Sequence, residues 1–244
     1  MIYTKILNSK SSGKKIFCVL IDPDKHNNES LLSIIHLSNK SKIDLFLVGG
    51  SLITKNNLKW CVNTIKKESK IEIVLFPGNT MQINENADAI LFLSLISGRN
   101  PDLLIGNQVI SAPILKQSKI EVISTGYMLI DSGEPTSSSY ISGTMPIPHN
   151  KDDISMSTAL AGEMLGMKLI YMDAGSGSKK RISLKMIQSV SKNIKIPLII
   201  GGGITNEMQA VEICQAGADV IVVGNAIEEN HLLINKISNA LHKI

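Results

Sequence analysis

The chain has 244 residues, 43% apolar and 19% charged, which excludes a disordered polypeptide and allows one large domain around a well-buried sheet. Its net charge of +4 is carried by scattered lysines, and the one tight basic cluster, Ser178-Lys179-Lys180-Arg181, has no interleaved aromatics, so it reads as a solvated loop and no nucleic-acid partner is expected. Three distant cysteines (Cys18, Cys61, Cys214), histidines without zinc spacing, no apolar run of about 18 residues and no signal-peptide core before Lys14 and Lys15 together suggest a soluble, cytoplasmic protein with no membrane span.

Apolar runs alternate with helical stretches from the first residues to the last. Strands are expected at Ile16–Ile21, Asp44–Val48, Ile71–Phe76, Ala89–Leu93, Val122–Ser124, Leu169–Met172, Leu198–Ile200 and Val220–Val223. Helices are expected at Ser30–Ser38, Asn57–Lys67, Asp153–Leu165, Leu184–Ser191, Asn206–Ala216 and Ile227–His242. Continuous apolar strands separated by helices imply a parallel sheet covered on both faces. Eight of them in a chain near the usual size of about 250 residues point to one (β/α)8 barrel over residues 1–244. Two stretches are irregular. Only about twelve residues, Pro77 to Asp88, separate strands three and four, which is tight for a crossover helix. The segment Asp131–His149 is rich in Ser, Gly, Thr and Pro and long for a structureless loop, a pattern more often functional or mobile than accidental.

In such barrels the chemistry sits at the C-terminal ends of the strands. Strand seven ends in Gly201-Gly202-Gly203-Ile204 and strand eight in Gly224-Asn225-Ala226. Glycines there let backbone amides approach an anion while the next helix presents its positive end, so a phosphorylated small molecule is expected. Strand one ends in Asp22-Pro23-Asp24-Lys25. This is either a carboxylate site for Mg²⁺ beside a diphosphate or an Asx-Pro turn that caps the next helix. Strand two ends in Gly49-Gly50-Ser51, where Ser51 is either a second metal or phosphate contact or part of a tight turn. Strand six ends in Tyr171-Met172-Asp173-Ala174-Gly175-Ser176-Gly177, where Asp173 is either a helix cap or a group for substrate hydroxyls. The chain lacks a Gly-x-Gly-x-x-Gly fingerprint and a Walker loop. Asp152-Asp153 is expected to open a helix.

Taken in order, these motifs resemble the geranylgeranylglyceryl phosphate synthase family, which also contains heptaprenylglyceryl phosphate synthases. Ser94-Leu95-Ile96-Ser97-Gly98-Arg99-Asn100-Pro101, Ile105-Gly106-Asn107-Gln108, Gly126-Tyr127 and Pro146-Ile147-Pro148 extend the resemblance over nearly the whole chain. The long loop, the Pro-Ile-Pro segment and Leu20, where the other subgroup has lysine, resemble group II.

The resemblance implies a Mg²⁺-dependent transfer of a long prenyl group from its diphosphate to the C3 hydroxyl of sn-glycerol 1-phosphate. It implies Asp22 and Ser51 as metal ligands. It implies Tyr171, Met172, Asp173, Ala174, Gly175, Ser176, Gly177, Gly202, Gly203, Gly224 and Asn225 around glycerol phosphate, with Asp173 and Tyr171 as the catalytic pair. One departure stands out, because the family usually has glutamate where this chain has Asp173, one methylene shorter. Lys25 or Arg99 is expected to stabilise the departing diphosphate. Leu91, Leu93, Leu95, Ile96 and Met128 are either core or the lining of an apolar groove for the tail. A homo-oligomer, dimer or hexamer, is implied by the same resemblance. The competing expectation is another phosphate-binding (β/α)8 enzyme, such as a phosphosugar isomerase or lyase, which needs an acid/base pair instead of a diphosphate site.

Overall fold

Strands covered on both faces must be apolar at nearly every position, and here eight such strands close on themselves. In the computed structural model, which describes residues 1–244, β1 (Ile16–Ile21), β2 (Leu45–Val48), β3 (Glu72–Leu75), β4 (Ala89–Leu95), β5 (Glu121–Leu129), β6 (Leu169–Asp173), β7 (Leu198–Gly201) and β8 (Val220–Val223) follow chain order around a closed barrel. All neighbours are parallel, and β8 closes on β1 through Ile16↔Val220 to Val19↔Val223. Successive side chains point to opposite faces, which creates two apolar layers. Cys18, Leu45, Leu47, Val74, Leu91, Leu169, Tyr171 and Val222 fill the barrel. Phe17, Val19, Phe46, Val48, Ile170, Met172 and Ile221 pack outward against the helices.

The surrounding helices are α1 (Ile2–Ser11), α2 (Asn28–Ser41), α3 (Leu58–Glu68), α4 (Asn107–Gln117), α5 (Ser137–Ser142), α6 (Asp152–Met164), α7 (Leu184–Asn193), α8 (Glu207–Gln215), α9 (Asn225–Glu229) and α10 (Leu233–Leu241). Helix α1 closes the N-terminal end of the barrel. Ile2 and Ile6 are buried against the interior layer, the amides of Ile2 and Tyr3 donate to the Glu121 carboxylate, and Lys10 pairs with Asp219 at 2.8 Å. Substrate access is therefore left to the opposite end.

Five features differ from the sequence expectation or refine it. Helix α1 was not expected. No helix joins β3 to β4, as the short spacing requires. Helix α4, led by a π-helical turn over Asp102–Gly106, was not expected, because Pro101, Gly106 and Pro113 mark the segment as loop by propensity. The expected C-terminal helix is two helices that break at Asn230. The long segment after β5 carries the short helix α5, with a Thr136–Ser139 capping box, and returns to the barrel through an Ile130↔Ile147 bridge.

Candidate active site

Glycines shape the C-terminal mouth of the barrel. Gly202 and Gly203 lie at φ +81° and +70°, and Gly175 and Gly177 at +90° and +80°, a left-handed region that costs glycine nothing. A Cβ on Gly202 would stand 2.9 Å from the Ala174 Cβ, the Ala174 amide and Asp173 Oδ1, so the turn after β7 is pressed against the end of β6. Together with Gly224 and Asn225 these turns line a cavity of 690 Å³ that also takes in Asp22, Lys25, Ser51, Tyr171, Asp173, Ser176 and Lys179. Ser176 bonds Asn225 Oδ1 at 3.2 Å and so ties the loop after β6 to the start of α9. Met172 and Ala174, expected around the phosphate, face the helices instead. Strand alternation puts them opposite Tyr171 and Asp173, and the Ala174 amide is spent on the Gly201 carbonyl.

Asp173 is buried at the floor of this cavity. Its Oδ2 accepts the Tyr127 hydroxyl at 2.6 Å and its Oδ1 the Gly175 amide at 2.8 Å. Burial raises its pKa above the ordinary carboxylate range, against the lowering effect of those two bonds. The helix-cap alternative is not what forms: α7 begins at Leu184 and is capped by Ser183, and the Asp173 side chain closes a turn onto Gly175. A desolvated carboxylate at a strand end is a stronger base than a solvated one. Around it stand three aromatic rings, Phe76 stacked on Tyr171 with centroids 4.9 Å apart, and Tyr127 edge-on to both. Sequence reasoning gave Phe76 and Tyr127 no role. The available signal was their scarcity, with four Phe and four Tyr in the chain and three of those eight at strand ends.

On the far wall, Asp22 Oδ1 accepts the Asp24 amide at 3.1 Å while Oδ2 takes no protein donor. Burial raises the Asp22 pKa, opposed by the Asp24 amide and Lys25. A Cβ on Gly50 would sit 3.1–3.2 Å from the Asp22 carboxyl atoms, so glycine there lets the end of β2 lie against the carboxylate; Ser51, the next residue, lines the same cavity with its hydroxyl 2.9 Å from that of Ser138. The Asx turn at Asp22 therefore forms through one oxygen and leaves the other without a protein partner. Asp24 is occupied elsewhere, holding the Thr54 and Lys55 amides; the N-cap of α2 is Asn27. Lys25 lines the cavity but pairs with Glu228 at 2.9 Å. Arg99 does not reach it, because its guanidinium donates to the carbonyls of Ile96 and Gly98.

A second, apolar chamber opens beside the first. It runs along β4 toward α4 and is lined by Ile83, Leu91, Phe92, Leu93, Leu95 and Leu115 among others. Gly50, Ser51, Phe76 and Ser138 belong to both chambers. The absent β3–β4 helix leaves space for this groove. Of the expected tail-lining residues, Leu91, Leu93 and Leu95 line it; Ile96 and Met128 do not, and pack between barrel and helices.

A closed parallel barrel with glycine cradles at its C-terminal mouth and an adjoining apolar groove defines a (β/α)8 protein built for a small anionic ligand with an apolar extension. A family model described as the PcrB family matches residues 8–242. The chain belongs to the PcrB family. It is 52% identical to a protein of Chitinophaga pinensis named geranylgeranylglyceryl phosphate synthase, with 99% of this chain and 96% of that one covered. It is 36% identical to a protein of the same name from Methanosphaera stadtmanae, with 97% and 98% covered. The crystal structure of (S)-3-O-geranylgeranylglyceryl phosphate synthase from Thermoplasma acidophilum, in complex with sn-glycerol-1-phosphate, superimposes with a TM-score of 0.94 at 29% identity, covering 100% and 99%.

Proposed function

We propose that this protein transfers a long prenyl group, geranylgeranyl or similar, from its diphosphate to the C3 hydroxyl of sn-glycerol 1-phosphate, forming an ether-lipid precursor. The observation that carries the reading is the pair of joined chambers: a glycine-cradled polar cavity for a phosphate and an apolar groove for a tail, meeting at Ser51, Phe76 and Ser138. Family membership and the names of the relatives agree with it.

In this reading the backbone turns at Gly175–Gly177, Gly202–Gly203 and Gly224–Asn225 hold the glycerol phosphate. Tyr171 walls the cavity beneath it, and Asp173 meets the hydroxyl end. The new bond joins the glycerol O3 to C1 of the prenyl chain, the C1–O bond to diphosphate breaks with its electron pair leaving on diphosphate, and the hydroxyl proton passes to Asp173. Rigid placement of both partners on barrel rims supplies the positioning the step needs. Leu91, Leu93 and Leu95 keep water from the tail.

The donor set fits Mg²⁺. That ion takes one or two carboxylates, keeps several waters and uses substrate phosphates for the rest, so the free Oδ2 of Asp22 with the Ser51 hydroxyl on the same cavity wall suffices and a cluster of three acidic, cysteine or histidine ligands, of which there is none, is not needed. Bound there, the ion would neutralise charge on the departing diphosphate. Lys25 is close enough to the same wall to add positive charge once its pairing with Glu228 is exchanged. The implied homo-oligomer, dimer or hexamer, is supported by the exposed apolar face of the α4 segment at Ile105, Val109, Ile110 and Ile114.

The test is incubation with sn-glycerol 1-phosphate, Mg²⁺ and labelled prenyl diphosphates of several lengths. Ether formation that requires all three components is expected. Absence of ether product with every chain length, from a folded protein, overturns the reading.

A further inference from the structure

The turn at Gly50, which borders both chambers, is held by a side chain that lines neither of them. Gln82 lies in the short connection between β3 and β4 and is 3% exposed. Its Oε1 accepts the Gly50 amide at 3.3 Å, and its Nε2 donates to the Gly50 carbonyl at 2.8 Å. A carboxamide presents an acceptor and donors side by side, so one side chain pairs with both backbone groups of one residue. The reverse placement of oxygen and nitrogen would set donor against donor and acceptor against acceptor, which fixes the orientation of the amide. The backbones pack closely here too. A Cβ on Gly49 would run into the Phe76 carbonyl, and one on Gly78 into the carbonyls of Gly50 and Ser51.

We infer that Gln82 is a positioning residue: it fixes the Gly50–Ser51 turn and so keeps the Asp22 wall in shape for Mg²⁺ and the prenyl diphosphate. The inference rests on the prenyl-transfer reading for what that wall binds. Strand β2 ends at Val48, and the Gly49 amide still donates to the Ile21 carbonyl at 3.1 Å. One residue further on, the amide and carbonyl of Gly50 are taken by Gln82 instead of by a neighbouring strand. Gly50 is also the residue pressed against the Asp22 carboxyl group. Movement of its backbone therefore changes the space around the Asp22 oxygen that takes no protein donor, and carries Ser51 with it.

The same connection walls the apolar chamber with Pro77, Gly78, Thr80 and Ile83. One short segment, with no helix in it, thus shapes the groove for the tail and holds the turn beside the diphosphate. Nothing in this arrangement touches the glycine turns after β6, β7 and β8, so loss of Gln82 should act on one substrate and spare the other.

The test compares the parent with Gln82→Met, which keeps the length and loses both bonds, and Gln82→Asn, which stays polar but is one methylene shorter. Hydrogen exchange of the Gly50 amide is read by NMR in the ligand-free protein. Binding of an unreactive geranylgeranyl thiodiphosphate with Mg²⁺, and separately of sn-glycerol 1-phosphate, is measured by calorimetry. In both variants the Gly50 amide should exchange faster. Affinity for the thiodiphosphate with Mg²⁺ should fall about 10- to 100-fold, the usual effect of removing a group that orients a metal site from behind. Affinity for sn-glycerol 1-phosphate should stay near its parental value. Gln82→Asn decides if Gln82→Met does not melt cooperatively. Parental affinity for the thiodiphosphate, an equal loss for both ligands, or unchanged exchange at Gly50 overturns the inference. A parent that forms no ether overturns the prenyl-transfer reading instead, since the exchange and the two titrations need no reaction.

Discussion

Replacing Asp173 tests the catalytic reading at its base. General base catalysis contributes about 10²–10⁴-fold, roughly 3–5 kcal/mol of barrier, so Asp173→Ala should lose turnover on that scale. The same change strands two donors, the Tyr127 hydroxyl and the Gly175 amide, at about 1–3 kcal/mol for each buried group left without a partner. Relief of a desolvated charge offsets part of this, and a modest fall in melting temperature is expected. Asp173→Asn keeps the volume and removes the base, and should be nearly as slow. Asp173→Glu restores the length usual in the family and should remain active, with its extra methylene directed into the cavity. The pH behaviour follows from the raised pKa of Asp173. Activity requires the ionised form, so the acid limb should lie above the ordinary carboxylate range. For stability the folded state holds the proton more tightly than the unfolded chain. The favourable contribution is complete below the unfolded pKa and lost as pH rises through the folded one. The parent should therefore gain stability relative to Asp173→Asn as pH falls through that window. Single-turnover ether formation and thermal melts on the three variants measure all of this. An Asp173→Ala protein that melts early yet turns over at the parental rate would refute the base and leave Asp173 only as the residue that closes the turn onto Gly175.

Three further outcomes are expected. Asp22→Asn should keep the fold, since the Asp24 amide retains an acceptor, but need far more Mg²⁺ for half-maximal activity; an unchanged Mg²⁺ titration counts against Asp22 as a ligand. Gly224→Ala places a Cβ 3.3 Å from Leu20 atoms, a contact a small shift can absorb, and should raise KM for glycerol phosphate more than for the prenyl diphosphate. Equal effects on both would reduce that glycine to a packing role. Leu93→Trp should fill the apolar groove and weaken use of long prenyl diphosphates while leaving KM for glycerol phosphate near its parental value; loss of both together, in a protein that still melts cooperatively, would mean the groove does not hold the tail.

Much of the architecture could be read from local patterns because parallel strands buried on both faces advertise themselves as unbroken apolar runs. That is why all eight strands are legible in the sequence, and why the short gap before β4 reads as too tight for a crossover helix, as the fold has it. The misses have local causes. Strand β5 was expected to stop at Ser124 but continues to Leu129, since Thr125 and Gly126 interrupt the run while pairing with β4 and β6 sustains it. Helix α4 forms despite Pro113 inside it, where packing against β4 outweighs propensity. At the site, the strand-end motifs determined which backbone turns surround the cavity, and strand alternation alone was enough to turn Met172 and Ala174 away from it. The sequence could not determine partners chosen across the fold. Asp22 divides its two oxygens between a turn and the cavity, Arg99 folds back on its own loop, and Asp173 meets Tyr127 from 46 positions away. Side chains that distant in the chain meet only through the closure of the barrel, and no local pattern records which of them will.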